Sequence, residues 1–124
     1  MDSETFEGLV AEALDSLPQE FLDRLENVEV EVEEWPDGED LLDVGLPAGA
    51  KYALLGLYHG IPQTKRGLYY MALPDRISIY KKPIERVAGN DPARVKEQVR
   101  RTVIHEIAHH YGISDERLQE LGWG

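Results

Sequence analysis

Two histidines with a glutamate between them stand near the end of the chain, in the stretch HEIAH that begins at His105 and ends at His109. On a helix these two side chains lie one turn apart on the same side, whereas Val103 and Ile107 lie on the other side. Two imidazoles at this spacing can bind one metal ion from a single rigid element, which limits the entropy lost on binding. The spacing therefore predicts a metal site.

Glu106 follows the first of these histidines directly and is angled toward the same rim of the helix. It cannot easily share the ion with both histidines, but it can reach a water molecule held beside them. A carboxylate in that place can take a proton from the water and later pass it to a leaving amine. We therefore expect metal-dependent hydrolysis with Glu106 as general base and acid.

A catalytic zinc ion usually takes three protein ligands, so a third is needed. Gly112 lets the chain leave the helix and turn back, which brings Asp115 within reach and gives the pattern HExxHxxGxxD. Glu116 is adjacent and has a longer reach, so it is the alternative third ligand. The short side chain of Asp115 predicts modest zinc affinity and a site that can be empty after purification.

The motif is predicted to lie on a long helix. Asp91 is expected to be its N-cap residue, Pro92 its first residue, and Gly112 the left-handed residue just beyond its end. The polar stretch VKEQVRR in its first half is expected to face mostly solvent, and Arg100 falls inside the apolar arc without an explanation. Ser114 is the expected N-cap of a short last helix.

Strand patterns are found upstream of this helix. In NVEVEVEEW, valines alternate with glutamates, which predicts a strand with one solvated, acidic face. Residues 76–82, RISIYKK, alternate as clearly. Residues 53–60, ALLGLYHG, form a weaker strand candidate because Gly56 and Gly60 disfavour strand structure.

Two amphipathic helices are predicted before the first strand. The first, SETFEGLVAEALDSL, has Ser3 or Thr5 as its expected N-cap, and the second is PQEFLDRLENV. PDGED is expected to be a turn or loop, and KPIERVAG one or two helical turns. Together these elements predict an α+β fold of one domain, residues 1–124, in which the motif helix packs on a small mixed sheet of three or four strands.

Composition narrows the choice of partners and location. The formal net charge of −11 disfavours nucleic acid and anionic membrane surfaces as partners. The absence of cysteine excludes disulfides, thiolate metal sites and a cysteine nucleophile. The opening MDSETFEGLV is acidic where a secretion signal would be basic, and no apolar run approaches membrane-spanning length, so a cytoplasmic protein is predicted.

The motif from His105 to Asp115, together with LLGLYHGIPQTKR and LPDRISIYKKPIE upstream, resembles the small bacterial minimal zincin-like metallopeptidases, over most of the chain. The resemblance implies a Zn²⁺ ion bound by His105, His109 and Asp115, Glu106 as the catalytic residue, and a peptide or protein substrate. It also implies that the strand before the motif helix pairs with extended substrate. That role would fall to part of RISIY.

Other interpretations remain open. Only nine residues follow Asp115, without the methionine turn of related zincins, which favours a non-catalytic metal-binding or partner-binding module with a relic site. A metal-dependent nuclease would need a basic groove, for which the candidates are Lys65, Arg66, Lys81 and Lys82. The sequence does not identify an oxyanion-stabilising residue or an oligomeric state.

The positions of other histidines and of two tyrosines are also predicted. His110 is expected to be partly buried and hydrogen-bonded. His59 is expected to be a surface histidine, with a position facing the cleft from a loop as the alternative. Tyr69 and Tyr70 are expected in the core or in a cleft wall.

Overall fold

The computed structural model describes residues 1–60 and 74–123. The expectations for Lys65, Arg66, Tyr69 and Tyr70 therefore lie outside the described residues. The helices are α1 (Ser3–Asp15), α2 (Gln19–Arg24), α3 (Gly38–Asp43), α4 (Lys81–Ala88), α5 (Pro92–His110) and α6 (Asp115–Glu120), with a 3₁₀ turn at Lys51–Ala53. The strands are β1 (Val28–Glu33), β2 (Gly56–His59) and β3 (Asp75–Tyr80).

The described strands form a mixed sheet in the order β1-β3-β2. β3 is parallel to β1 and antiparallel to β2. In β1 the glutamates Glu29 and Glu31 are exposed while the valines are partly buried, as the alternation predicts. β3, which contains RISIY, is the central strand and is paired on both sides. The expectation that RISIY pairs with substrate is therefore wrong, because both of its edges are already hydrogen-bonded to neighbouring strands.

The motif helix α5 packs at the centre of the fold, against α1, α4 and the sheet. Its buried residues recur every three or four positions, as expected for a helix with one apolar side. Those without solvent exposure are Val95, Val99, Val103, Ile104, Ile107 and Ala108. They share one hydrophobic core with α1 and β3, so the predicted α+β domain with the motif helix packed on a small mixed sheet is confirmed.

The caps of the two helices that carry the motif are as predicted. The side chain of Asp91 accepts a hydrogen bond from the amide of Ala93, with Pro92 at the start of α5. Ser114 caps α6 by accepting from the amide of Arg117. The prediction for α1 is wrong, because its N-cap is Asp2, which precedes both expected residues.

PDGED is not a loop, as expected from its turn-forming residues, because it leads into α3. Asp37 caps this helix by accepting from the amide of Asp40 at 2.8 Å. The helix is held by tertiary contacts: Leu41 is buried, and Asp40 accepts a hydrogen bond of 2.8 Å from the hydroxyl of Tyr80 at the end of β3. Such contacts outweigh weak local propensity in a six-residue helix.

Helix length and hydropathy also bear on membrane insertion. Within the described residues, none of the helices combines the length and apolar character that crossing a bilayer requires.

Candidate metal centre

The last two turns of α5 carry the predicted ligands and base. The ring centroids of His105 and His109 are 6.3 Å apart, with the rings tilted by 32°. Both rings and Glu106 line one cavity of about 420 Å³ between α5 and the chain that enters β2. The other lining residues are Ala53, Leu54, Leu55, Gly56, Gln98, Arg101 and Thr102. The helix therefore brings two imidazoles and a carboxylate to one open cavity.

The turn after α5 brings Asp115 back toward the helix. Gly112 has a φ of +74°, and the amide of Ile113 donates to the carbonyl of Ala108 at 2.7 Å, which closes the helix end. One carboxylate oxygen of Asp115, Oδ1, then lies 3.6 Å from Nε2 of His109. The predicted reversal at Gly112 is confirmed, and the ligand role of Asp115 stays a prediction.

The donor set suits a zinc ion by chemical type, since imidazole and carboxylate are both common zinc ligands. Within residues 1–60 and 74–123, however, no group of three or more such side chains is gathered closely enough to hold an ion. The ring of His105 instead donates from Nε2 to the carbonyl of Trp123 at 3.3 Å. His109 and Asp115 are 60% and 82% exposed, so both have room to change rotamer.

Glu106 is half-buried between α5 and β2. Its Oε1 accepts a hydrogen bond of 2.9 Å from the backbone amide of Tyr58. Burial raises the pKa of the Glu106 carboxyl, while the Tyr58 amide and the neighbouring His109 and His105 act in the opposite direction. The net effect is a carboxylate that holds a proton more readily than an exposed glutamate does.

The register of β2 explains why the Tyr58 amide reaches Glu106. Leu55 accepts a hydrogen bond from Tyr80 of β3 at 2.9 Å, and Tyr58 lies opposite Ile77 in the antiparallel pair. The backbone groups of successive residues in a strand point to opposite edges, so those of Leu55 and Tyr58, three positions apart, face opposite ways. The amide of Tyr58 is therefore on the edge away from β3, which faces α5.

Gly56 allows β2 to approach α5 this closely. A Cβ atom at Gly56 would lie 2.6 Å from Cγ2 of Thr102 and 3.0 Å from the carbonyl oxygen of Ser78. The first distance is shorter than a carbon atom allows and the second is at the tight limit, so the packing of β2 on α5 and β3 leaves no room for a side chain at this position. In the sequence, Gly56 was only a residue that disfavours strand structure. The close packing explains why a glycine nevertheless stands in β2.

Tyr58 also holds the end of α5 through its side chain. Its ring stacks on His110 with 3.9 Å between centroids, and its hydroxyl donates to Asp75 at 2.7 Å. This stacking holds the His110 ring, whose Nε2 lies 4.0 Å from Oδ2 of Asp75. The side chain of His110 is 36% exposed, so it is less buried than expected. Sequence reasoning missed Tyr58, whose only signal was its place in a candidate strand before the motif.

The structure places two other residues more clearly than the sequence did. His59 is the last residue of β2, not part of a loop, and its Nε2 lies 3.2 Å from the hydroxyl of Ser78. Arg100 lies over the ring of Trp123 at 4.9 Å and pairs with Glu97 at 3.0 Å, which explains a charge on the apolar side of α5.

The lysines in the described part of the proposed nuclease groove are engaged elsewhere. Lys81 is buried and pairs with Glu85 at 2.6 Å, and Lys82 lies 4.0 Å from Glu34. Neither residue lines the cavity beside His105. The nuclease interpretation therefore gains no support from these two residues.

Comparison with known proteins gives one positive finding. A family model described as Zincin-like metallopeptidase matches residues 25–123. The match begins just before β1 and extends past α6, so it includes the whole motif. A search of curated proteins gives no match.

Proposed function

The chain belongs to the zincin-like metallopeptidase family, and on that premise we propose that it is a zinc-dependent peptidase. The observation that carries the proposal is the shared cavity beside α5, into which one helix brings His105, Glu106 and His109. A peptide substrate fits the family and an open cavity of about 420 Å³.

His105, His109 and Asp115 would hold the ion. When bound, zinc lowers the pKa of water and polarises a carbonyl group. Each ligating nitrogen must be free of its proton, so His105 would give up its hydrogen bond to Trp123 if it ligates through Nε2. Asp115 is supported over Glu116 by its 3.6 Å approach to His109.

Glu106 would act as general base and then as general acid. Its carboxylate would accept a proton from the attacking water and return it to the nitrogen of the leaving amine. The Tyr58 amide fixes Oε1 of this side chain at 2.9 Å, which limits the reorganisation needed during proton transfer. Burial favours the role too, because a base with a raised pKa accepts a proton more readily.

Zinc binding tests the ligand assignment directly. Isothermal titration of Zn²⁺ into wild type, Asp115→Ala and Glu116→Ala should show one site per chain, weakened about tenfold or more by Asp115→Ala. Glu116→Ala serves as the matched control, with a carboxylate removed from the next position of α6. Weakening by Glu116→Ala alone would assign the third ligand to Glu116, and no binding by wild type at micromolar zinc would refute the metal site.

The cavity distinguishes the peptidase proposal from the alternative of a non-catalytic module with a relic site. A relic site has no need of open space beside its base, whereas the space beside His105 and Glu106 is open to solvent and lined by both residues. This observation favours a peptidase. We retain a cytoplasmic location as part of the proposal, in keeping with a chain that has no cysteine.

A further inference from the structure

A second cavity adjoins the candidate metal centre along α5. It has a volume of about 350 Å³ and is lined by the end of α4 and the first half of α5. Two residues, Gln98 and Arg101, line both this cavity and the one that contains His105. The two spaces are therefore neighbours on the same helix, and we call them together the α5 groove.

The α5 groove follows a straight stripe on the helix. At about 100° per residue, five of its lining residues fall within an arc of roughly 80°. They are Arg94, Gln98, Arg101, His105 and His109. The stretch VKEQVRR was expected to face mostly solvent, and the structure places part of it in the wall of a groove that leads to the candidate site.

Distances along α5 translate into positions on an extended peptide. Arg101 precedes His105 by four residues, which is about 6 Å of helix, and Ala93 precedes it by twelve, which is about 18 Å. An extended peptide rises about 3.3 Å per residue. A peptide lying along the groove would thus place its second residue from the scissile bond near Arg101 and its fifth near Ala93.

Arg101 is suited to bind a carboxylate. It is 49% exposed and lies 3.4 Å from Glu97, and Glu97 also binds Arg100 at 3.0 Å. One carboxylate thus serves two guanidinium groups, each of which has five N–H donors. The chain has a net charge of −11, and Arg94 and Arg101 place positive groups beside Glu97 in the wall of this cavity.

The far end of the α5 groove is apolar. Val87, Ala88 and Ala93 line it, and Val87 is 60% exposed. A partner side chain that covers Val87 would remove apolar surface from water. This end therefore suits an aliphatic side chain.

We propose that the α5 groove selects peptides with an acidic side chain about two residues from the scissile bond and an aliphatic one about three residues further on. Arg101 binds the acidic group and the Val87 end binds the aliphatic group. The proposal rests on the peptidase function and adds the class of peptide that the site takes.

The test measures binding apart from cleavage. The protein is zinc-loaded Glu106→Gln, and the probes are fluorescein-labelled peptides of alanine and glycine with one leucine, in which a single glutamate or glutamine is moved through every position. Fluorescence anisotropy should show one spacing at which the glutamate peptide binds about fivefold more tightly than its glutamine counterpart. Adding Arg101→Gln should abolish that preference.

Lys96→Gln is the matched control, because it removes one positive charge from the same helix roughly 180° away from His105. It should leave the preference intact, and Val87→Asp should weaken binding of the leucine peptides without changing the glutamate preference. Equal affinity for glutamate and glutamine peptides, loss of preference with Lys96→Gln, or no binding of any peptide would overturn the proposal. If wild type cleaves nothing while the preference is present, the peptidase function fails and the groove assignment stands.

Discussion

Replacing Gly56 with alanine tests how closely β2 must approach the motif helix. The added methyl would lie 2.6 Å from Cγ2 of Thr102 and 3.0 Å from the Ser78 carbonyl oxygen. Relief requires a shift of about 1 Å, and overpacking of this kind costs about 1–3 kcal/mol. The lower entropy of the unfolded chain returns about 0.5 kcal/mol. We expect Gly56→Ala to lower the free energy of unfolding by about 0.5–2.5 kcal/mol.

A second substitution separates this clash from a general intolerance of alanine in the strand. Thr102→Ser removes Cγ2, the nearer of the two atoms, and keeps the hydroxyl that lies 3.4 Å from the Gln98 amide nitrogen. On its own it should cost about 1 kcal/mol for the lost buried methyl. The double variant should be more stable than the sum of the two losses by about 1 kcal/mol, because the two side chains share the same space.

Urea denaturation of wild type, both single variants and the double variant gives the four free energies of this cycle. Hydrogen exchange of the Tyr58 amide supplies a local readout, since displacement of β2 would loosen its bond to Glu106. Exchange should be faster in Gly56→Ala than in wild type. In the double variant it should return toward the wild-type rate. Additive losses within about 0.3 kcal/mol, or an unchanged Tyr58 exchange rate, would refute the packing argument.

Two further predictions concern the turn and the base. Gly112→Ala forces a side chain into a backbone with φ of +74°, so it should destabilise the protein by about 1 kcal/mol and weaken zinc binding by displacing Asp115; calorimetry that shows unchanged zinc affinity would contradict this. Burial raises the pKa of Glu106 above that of a free glutamate. The protonated carboxyl therefore stabilises the metal-free protein at a pH below the unfolded pKa, and this stability is lost as the pH rises through the higher folded pKa. Glu106→Gln should lack this component, so in urea titrations without metal it should be the more stable protein at pH 8 and lose that advantage by pH 4; a constant difference between the two would contradict the shift.

Local signals in the sequence predicted the parts of the fold that depend on local chemistry. Asp91 and Pro92 marked the start of α5, and Gly112 marked its end, because caps and left-handed glycines act within a few residues. The alternation in β1 likewise reported a half-exposed strand. Each of these features is decided by neighbours in the chain.

Features that depend on distant contacts were not predictable in the same way. α3 forms where the sequence suggested a loop, because Asp40 and Leu41 find partners elsewhere in the fold. The order of the strands placed RISIY in the centre of the sheet, which no local pattern reveals. The bond from Tyr58 to Glu106 joins residues 48 positions apart, so its existence required the register of β2 against α5.

The central claim is that Glu106 carries out proton transfer in peptide hydrolysis at this site. The most direct measurement compares zinc-loaded wild type with zinc-loaded Glu106→Gln, at equal metal occupancy, on a mixed peptide library analysed by mass spectrometry. Glutamine keeps the size of the side chain and an acceptor for the Tyr58 amide but cannot take a proton. We predict cleavage by wild type and a rate at least 100-fold lower for the variant. Equal rates, or no cleavage by zinc-loaded wild type, would contradict this role of Glu106.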